Sequence, residues 1–196
     1  MAEDNSQLEA IRARLGTAVL NAETFRGEDV VIVRREALLE SVRALKEDPA
    51  LAFDFLSDVT AVDYLGKKEP RFEVVYHLLS LPRHRRVRIK VAVPEAAPEV
   101  DSLVPLWKAA DWLEREVWDM FGIRFRGHPD LRRILLYEEF RGYPLRKDYP
   151  VNQRQPLVPE RPLAGTFVDT RSNNKLIQLK QQLEQKKAAA GSLKQS

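Results

Sequence analysis

The chain has 196 residues, 44% of them hydrophobic and 31% charged, a formal net charge of +3 and a pI near 9.1. That is length for one good core, and the balance is that of a soluble globular protein rather than a polycation. Cysteine is absent, which excludes disulfides and any thiolate ligand or nucleophile. The first residues, MAEDNSQLEA, are too acidic and polar for a signal peptide. The longest apolar runs, such as residues 30–33, fall far short of a membrane span, so any work at a membrane is expected through another chain.

In chain order, Leu8, Ile11 and Leu15 mark a short helix over residues 5–15. Residues 30–33, VVIV, are β-branched and predict a strand. Leu38, Leu39, Val42 and Leu45 share one face of a helix over 35–47, which Asp48-Pro49 ends. Residues 53–64 hold a strand, and 66–70 a turn. In 71–79, Phe72, Val74, Tyr76 and Leu78 share a face opposite Glu73, Val75, His77 and Leu79. In 86–93 the alternation is strict, with Val87, Ile89, Val91 and Val93 against Arg86, Arg88, Lys90 and Ala92. One face of that sheet therefore meets a core and the other meets water or an acidic partner. Residues 95–100 are a loop.

Residues 107–121 form the best-defined helix, with an apolar stripe of Ala110, Leu113, Val117 and Met120. Gly122 sits where a left-handed cap is needed. Asp111, Arg115 and Asp119 can pair along the helix, and Glu114, Glu116 and Asp119 are expected on a surface salt-bridge face. Trp118 lies on a second side of this helix, which predicts a covering by another chain. Beyond residue 122, 129–136 is expected to make a helical turn or two and 142–150 to be extended. Residues 155–165 form a proline-rich arm, and 173–190 a marginal helix. The expected fold is α+β. A small mixed sheet of about four strands packs with helices in residues 1–122, an extended interaction arm covers 123–165, and a polar tail covers 166–196.

No constellation for catalysis emerges. The eight glycines give no dinucleotide or phosphate-loop pattern, and His77, His84 and His128 match no ligand spacing. His128 is expected to play a structural part, donating to a carbonyl or meeting an acid. The unusual stretch is 125–150. It repeats Phe125-Arg-Gly-His-Pro129 as Phe140-Arg-Gly-Tyr-Pro144, each followed by a basic pair, Arg132-Arg133 and Arg146-Lys147. From residue 122 to 150 there are seven basic and four acidic residues, an excess equal to the whole-chain charge. A solvated loop is at odds with Phe125, Leu131, Ile134, Leu135, Leu136, Phe140 and Tyr143. A nucleic-acid surface is weakened by the four acids. A protein–protein interface fits the Arg, Tyr and Phe content best.

Residues 113–135, LEREVWDMFGIRFRGHPDLRRIL, closely resemble the signature of the C subunit of respiratory complex I, the NADH–quinone oxidoreductase. Glu114, Arg115, Glu116, Asp119, Met120, Phe121, His128, Arg132 and Arg133 supply its fixed positions. The ending 142–150, GYPLRKDYP, and the strands FLSDVTAVDY at 55–64 and FEVVYHLLS at 72–80 extend the likeness over about residues 30–150. The resemblance implies a peripheral-arm component with no catalytic, cofactor-binding or metal residues of its own. FMN, iron–sulfur clusters and quinone would belong to partner subunits. It implies packing on the D subunit, and on the B and I subunits, at the cytoplasmic side of the inner membrane. The interface residues would be Trp118, Phe125, Arg126, His128, Arg132, Arg133, Phe140, Arg141, Tyr143, Arg146, Lys147 and Tyr149. The alternatives are the equivalent component of a relative with another electron donor, or a nucleic-acid-binding module.

Overall fold

The structure, a computed structural model, describes residues 4–158. In chain order its elements are α1 (Asp4–Leu15), β1 (Val19–Phe25), β2 (Glu28–Val33), α2 (Leu38–Glu47), β3 (Phe55–Asp63), β4 (Phe72–Ser80), β5 (Arg85–Val93), β6 (Glu99–Asp101), α3 (Ala110–Phe121) and β7 (Arg124–Arg126). The two segments with the clearest alternation pair with each other. β4 and β5 form an antiparallel hairpin in which Phe72 faces Val93 and Ser80 faces Arg85. β3 adds antiparallel to β4, β2 adds parallel to β5, and β1 adds antiparallel to β2. The five-stranded mixed sheet has the order β1-β2-β5-β4-β3, one strand more than the alternation marks. The α+β class expected from the sequence is the class observed.

The period-two pattern dictates which face is covered. Val87, Ile89, Val91 and Val93 are buried, as are Phe72, Val74, Tyr76 and Leu78 beside them. They pack in one core with Ile11 of α1, Leu38, Val42 and Leu45 of α2, and Ala110 and Val117 of α3. Each fully buried valine, leucine, isoleucine or phenylalanine among them contributes roughly 1.5–3 kcal/mol by leaving water. The opposite face carries Arg88 and Lys90. Its charges are met within the chain: Lys90 and Lys68 both reach Glu73, at 2.9 and 2.7 Å, and Arg88 pairs with Glu28.

Other elements depart from expectation for identifiable reasons. β1 carries no apolar alternation, because it is an edge strand whose only buried residue is Ala22. Residues 99–101, the first two of them expected in a loop, form β6, which pairs parallel with β7. Three-residue strands leave no periodic trace. The helix expected from residue 107 starts at Ala110 and ends at Gly122, whose φ of 73° lets its N–H reach the Trp118 carbonyl. Residues 129–136 make no helix, since the N–H groups of 134–136 are taken by a side chain. Residues 142–150 form successive turns instead of an extended run, with Arg146 N bonded to Tyr143 O and Tyr149 N to Arg146 O. The described residues up to Pro156 form one compact unit. The 165/166 boundary and the helix expected at 173–190 lie outside the described residues.

Candidate docking surface

The segment 127–149 is a strap belted across α3 and the near end of the sheet. Its first anchor is Asp119, which is fully buried. One carboxylate oxygen accepts the backbone N–H groups of Ile134, Leu135 and Leu136 at 3.2, 2.9 and 2.9 Å. The other accepts Arg133 Nη1 at 2.6 Å. Burial alone would raise the Asp119 carboxyl, but the Leu136 and Leu135 N–H groups and Arg133 hold it below the usual carboxylate range. Arg133 Nη2 also donates to the Phe140 and Gly142 carbonyls at 3.0 and 3.2 Å. Its guanidinium lies within 6 Å of the Trp118, Phe140 and Tyr143 rings. Arg115 reaches across from α3 to the carbonyls of Arg132 and Arg133, both at 3.1 Å.

The second anchor closes the C-terminus of α3, where unpaired carbonyls need donors. Leu145 N donates to Met120 O, and Arg146 Nε donates to Phe121 O at 2.5 Å. Tyr143 lies flat against Gly122: a Cβ there would stand 2.5 Å from the ring, so only glycine fits. The third anchor is Arg71, 2% exposed at the start of β4. It makes a two-pronged pair with Asp63 (2.9 and 2.7 Å) and also binds Glu95 and the strap's Asp148. Asp63 accepts Lys147 N as well. The hydrogen bonds from Arg71 hold the Asp63 carboxyl down at about 2.

His128 takes the structural part expected of it. Its Nδ1 accepts the Asp130 N–H, so the ring proton sits on Nε2 and is directed at the Asp111 carbonyl at 3.1 Å. Three expectations are corrected. Glu114 and Asp119 are not on a surface salt-bridge face; both are fully buried, and of that trio only Glu116 is exposed. Glu114 accepts Ser102 Oγ and Leu103 N, each at 2.6 Å, and burial raises its carboxyl to about 7. The side of α3 bearing Trp118 is covered by the chain's own strap, so no foreign chain is needed to cover it. Nor do Asp111, Arg115 and Asp119 pair along the helix: Arg115 donates to the strap carbonyls and Asp119 pairs with Arg133.

The twelve residues singled out from the sequence therefore divide. Trp118, Phe125, His128, Arg133, Phe140, Tyr143, Arg146 and Tyr149 are at least half turned inward, where they seat the strap. Arg126 is exposed but pairs with Asp101. Arg132, Arg141 and Lys147 face outward. Around them stand the exposed Leu135, Tyr137, Leu145 and Val151, which the sequence did not separate from their buried neighbours. Arg71, Asp63 and Asp148 were missed; the one local hint was an acid and a base flanking the turn at 64–70.

The described residues thus define a mixed-sheet α+β domain whose strap presents an apolar and cationic outer surface, the make-up of a component built for assembly. Residues 31–155 match the family described as respiratory-chain NADH dehydrogenase, 30 Kd subunit. The chain is 50% identical to the C subunit of the NADH-quinone oxidoreductase of Geobacter metallireducens over 151 residues, covering 77% of this chain and 92% of that protein. It is 50% identical to the protein of the same name from Roseiflexus sp. strain RS-1 over 156 residues, covering 79% and 89%. A solved trypsin-resistant fragment (1–134) of Nqo5 is 38% identical, with a TM-score of 0.57 over 67% of this chain and all of the fragment. A chain of the archaeal membrane-bound sulfane sulfur reductase shares the fold at 22% identity and a TM-score of 0.65. The chain belongs to the family of the NADH-quinone oxidoreductase C subunit, the 30 Kd component of respiratory complex I.

Proposed function

We propose that this chain is a non-catalytic structural component in the peripheral arm of a proton-translocating NADH–quinone oxidoreductase. It packs on the D subunit at the quinone site, with the B and I subunits as further neighbours, at the cytoplasmic side of the inner membrane. FMN, iron–sulfur clusters and quinone reside in the partners, and this chain holds their carriers in fixed relation. The attachment to the membrane runs through the complex; among the described residues no helix is long and apolar enough to cross a membrane.

The observation that supports this reading is the outer surface of the strap. Leu135 is 63% exposed and Leu145 52% exposed, on backbone that buried ion pairs hold still. The Arg141 and Lys147 side chains meet no carboxylate among the described residues. Apolar and cationic groups on rigid backbone lose little freedom on docking, which is what a tight interface needs. The test is to replace Arg132, Arg141 and Lys147 together by alanine in the native complex. Assembled complex should fall while turnover per assembled complex and the fold of the free chain stay unchanged. Normal assembly with inactive chemistry would contradict the proposal.

A further inference from the structure

The end of the sheet away from the strap has a composition of its own. β2 runs parallel to β5 with Asp29 beside Val87. That register sets the tip of the β1–β2 hairpin, Arg26-Gly27, next to the tip of the β4–β5 hairpin, residues 81–84, and the first residues of β5. Arg26, Gly27 and His84 all occupy left-handed backbone, with φ of 53°, 80° and 51°, so both tips are tight turns. Arg26, Arg83, Arg85 and Arg86 are all exposed there. Arg83 donates to the Pro49 carbonyl, while Arg85 and Arg86 have no side-chain partner among the described residues.

Three of the acids at this end are already engaged, and the exposed Asp58 shares a cleft with Arg86. Glu28 pairs with Arg88, Asp29 accepts from Gln7 and Thr24, and Asp54 accepts the Leu81 N–H. Three large apolar side chains protrude beside the arginines: Phe25 at 54%, Phe55 at 47% and Leu81 at 53% exposure. A cleft of about 470 Å³ opens between Gln7 of α1, Gly27 and the Arg85–Arg86 pair. Gln7 is buried, and its Oε1 has no hydrogen-bond partner.

We propose that this end of the sheet is a second protein-docking surface, fitted to an acidic segment of a neighbouring protein in the assembly that carries an apolar or aromatic side chain. The chain then bridges two neighbours: a nine-residue strand at ~3.3 Å per residue puts the two surfaces about 30 Å apart. Charge complementarity selects the occupant. The chain's own remainder, 159–196, holds seven basic and three acidic residues, the wrong net charge for a surface of arginines. A second copy meeting through the same end would set arginine on arginine. A phosphate-reading surface would leave Phe25, Phe55 and Leu81 in water, whereas exposed aromatics beside arginines are the usual anchors of protein interfaces.

The inference rests on membership of the assembly, so it is tested in the native complex. A photo-crosslinking residue is placed at Leu81, with a control at Leu135 on the strap. The Leu81 probe should join an acidic stretch of one partner protein. Arg85→Glu with Arg86→Glu should lower that yield at least about tenfold, as expected when several close charge pairs turn repulsive. Reversing two acids of the cross-linked stretch to lysine should restore it, and the strap crosslink should be unaffected throughout. The proposal is overturned by crosslinks from Leu81 only to lipid, to residues 159–196 or to a second copy. It is equally overturned by no crosslink, or by a partner crosslink indifferent to charge reversal. A strap crosslink without a tip crosslink removes this inference alone, and loss of both removes the assembly reading as well.

Discussion

The β4–β5 hairpin and the strap differ in what orders them. The hairpin has nine cross-strand pairs, and one of its faces is sealed by valine, isoleucine and leucine. The strap has almost no backbone ladder. It is tied at separate points by Asp119 to Arg133 and three N–H groups, by donors on the last carbonyls of α3, and by Asp148 and Lys147 N on the Arg71–Asp63 pair. Apolar burial is spread over many contacts and fails globally. Point anchors are few, charged and buried, and each can fail alone. A segment held in this way keeps its outer side chains free to meet a partner.

Breaking a strap anchor should give the largest effect. Asp119→Ala leaves Arg133 and three N–H groups without their acceptor, in a site where the Arg133 side chain is only 13% exposed. The expected cost is about 3–5 kcal/mol. Limited proteolysis should then cut within 130–147 while the sheet stays intact. Ile89→Ala sharpens the contrast from the other side. A cavity under the sheet should cost about 2–5 kcal/mol, read as one cooperative denaturation shift with no selective opening of the strap.

The strap anchors and the buried carboxyl of Glu114 should respond to pH in opposite directions. The strap anchors Asp63, Asp119 and Asp148 all have folded pKa values below their ordinary value of 3.8. Their contribution is complete above that value and is lost as pH falls toward about 2, where Asp63 titrates. Glu114, on the buried side of α3, is the reverse case, raised from 4.5 to about 7. Its charged form is disfavoured by folding, so stability declines as pH rises from 4.5 to 7, by about 3 kcal/mol. Glu114→Gln should flatten that decline in urea titrations without altering the acid limb. The smallest expected effect is at Arg132, which is 70% exposed and pairs only with Asp130. Arg132→Ala should move the stability of the free chain by less than about 0.5 kcal/mol.

What could be read from residue order follows the same division. β4, β5, the stripe on α3 and its glycine cap were legible because burial there has a local period. β1 was not, since an edge strand with one buried residue shows none. In the strap, the packing-grade residues and the basic pairs stood out, but their direction did not. Deciding whether Arg133 turned inward and Arg132 outward required knowing that Asp119 is buried. Lys147 and Asp63, bonded through 84 positions of separation, carry no mutual signal in one sequence. The apolar content therefore suggested a foreign cover where the chain supplies its own.

The strap is seated on its own domain before any partner arrives. Amide hydrogen exchange on the free chain measures that seating. The N–H groups of Leu135, Leu136, Leu145 and Lys147 should be protected in the free chain, and in Asp119→Ala those of Leu135 and Leu136 should exchange freely. Exchange at unstructured rates in the free chain, with protection gained only inside the assembled complex, would mean that the partner and not the domain seats the strap.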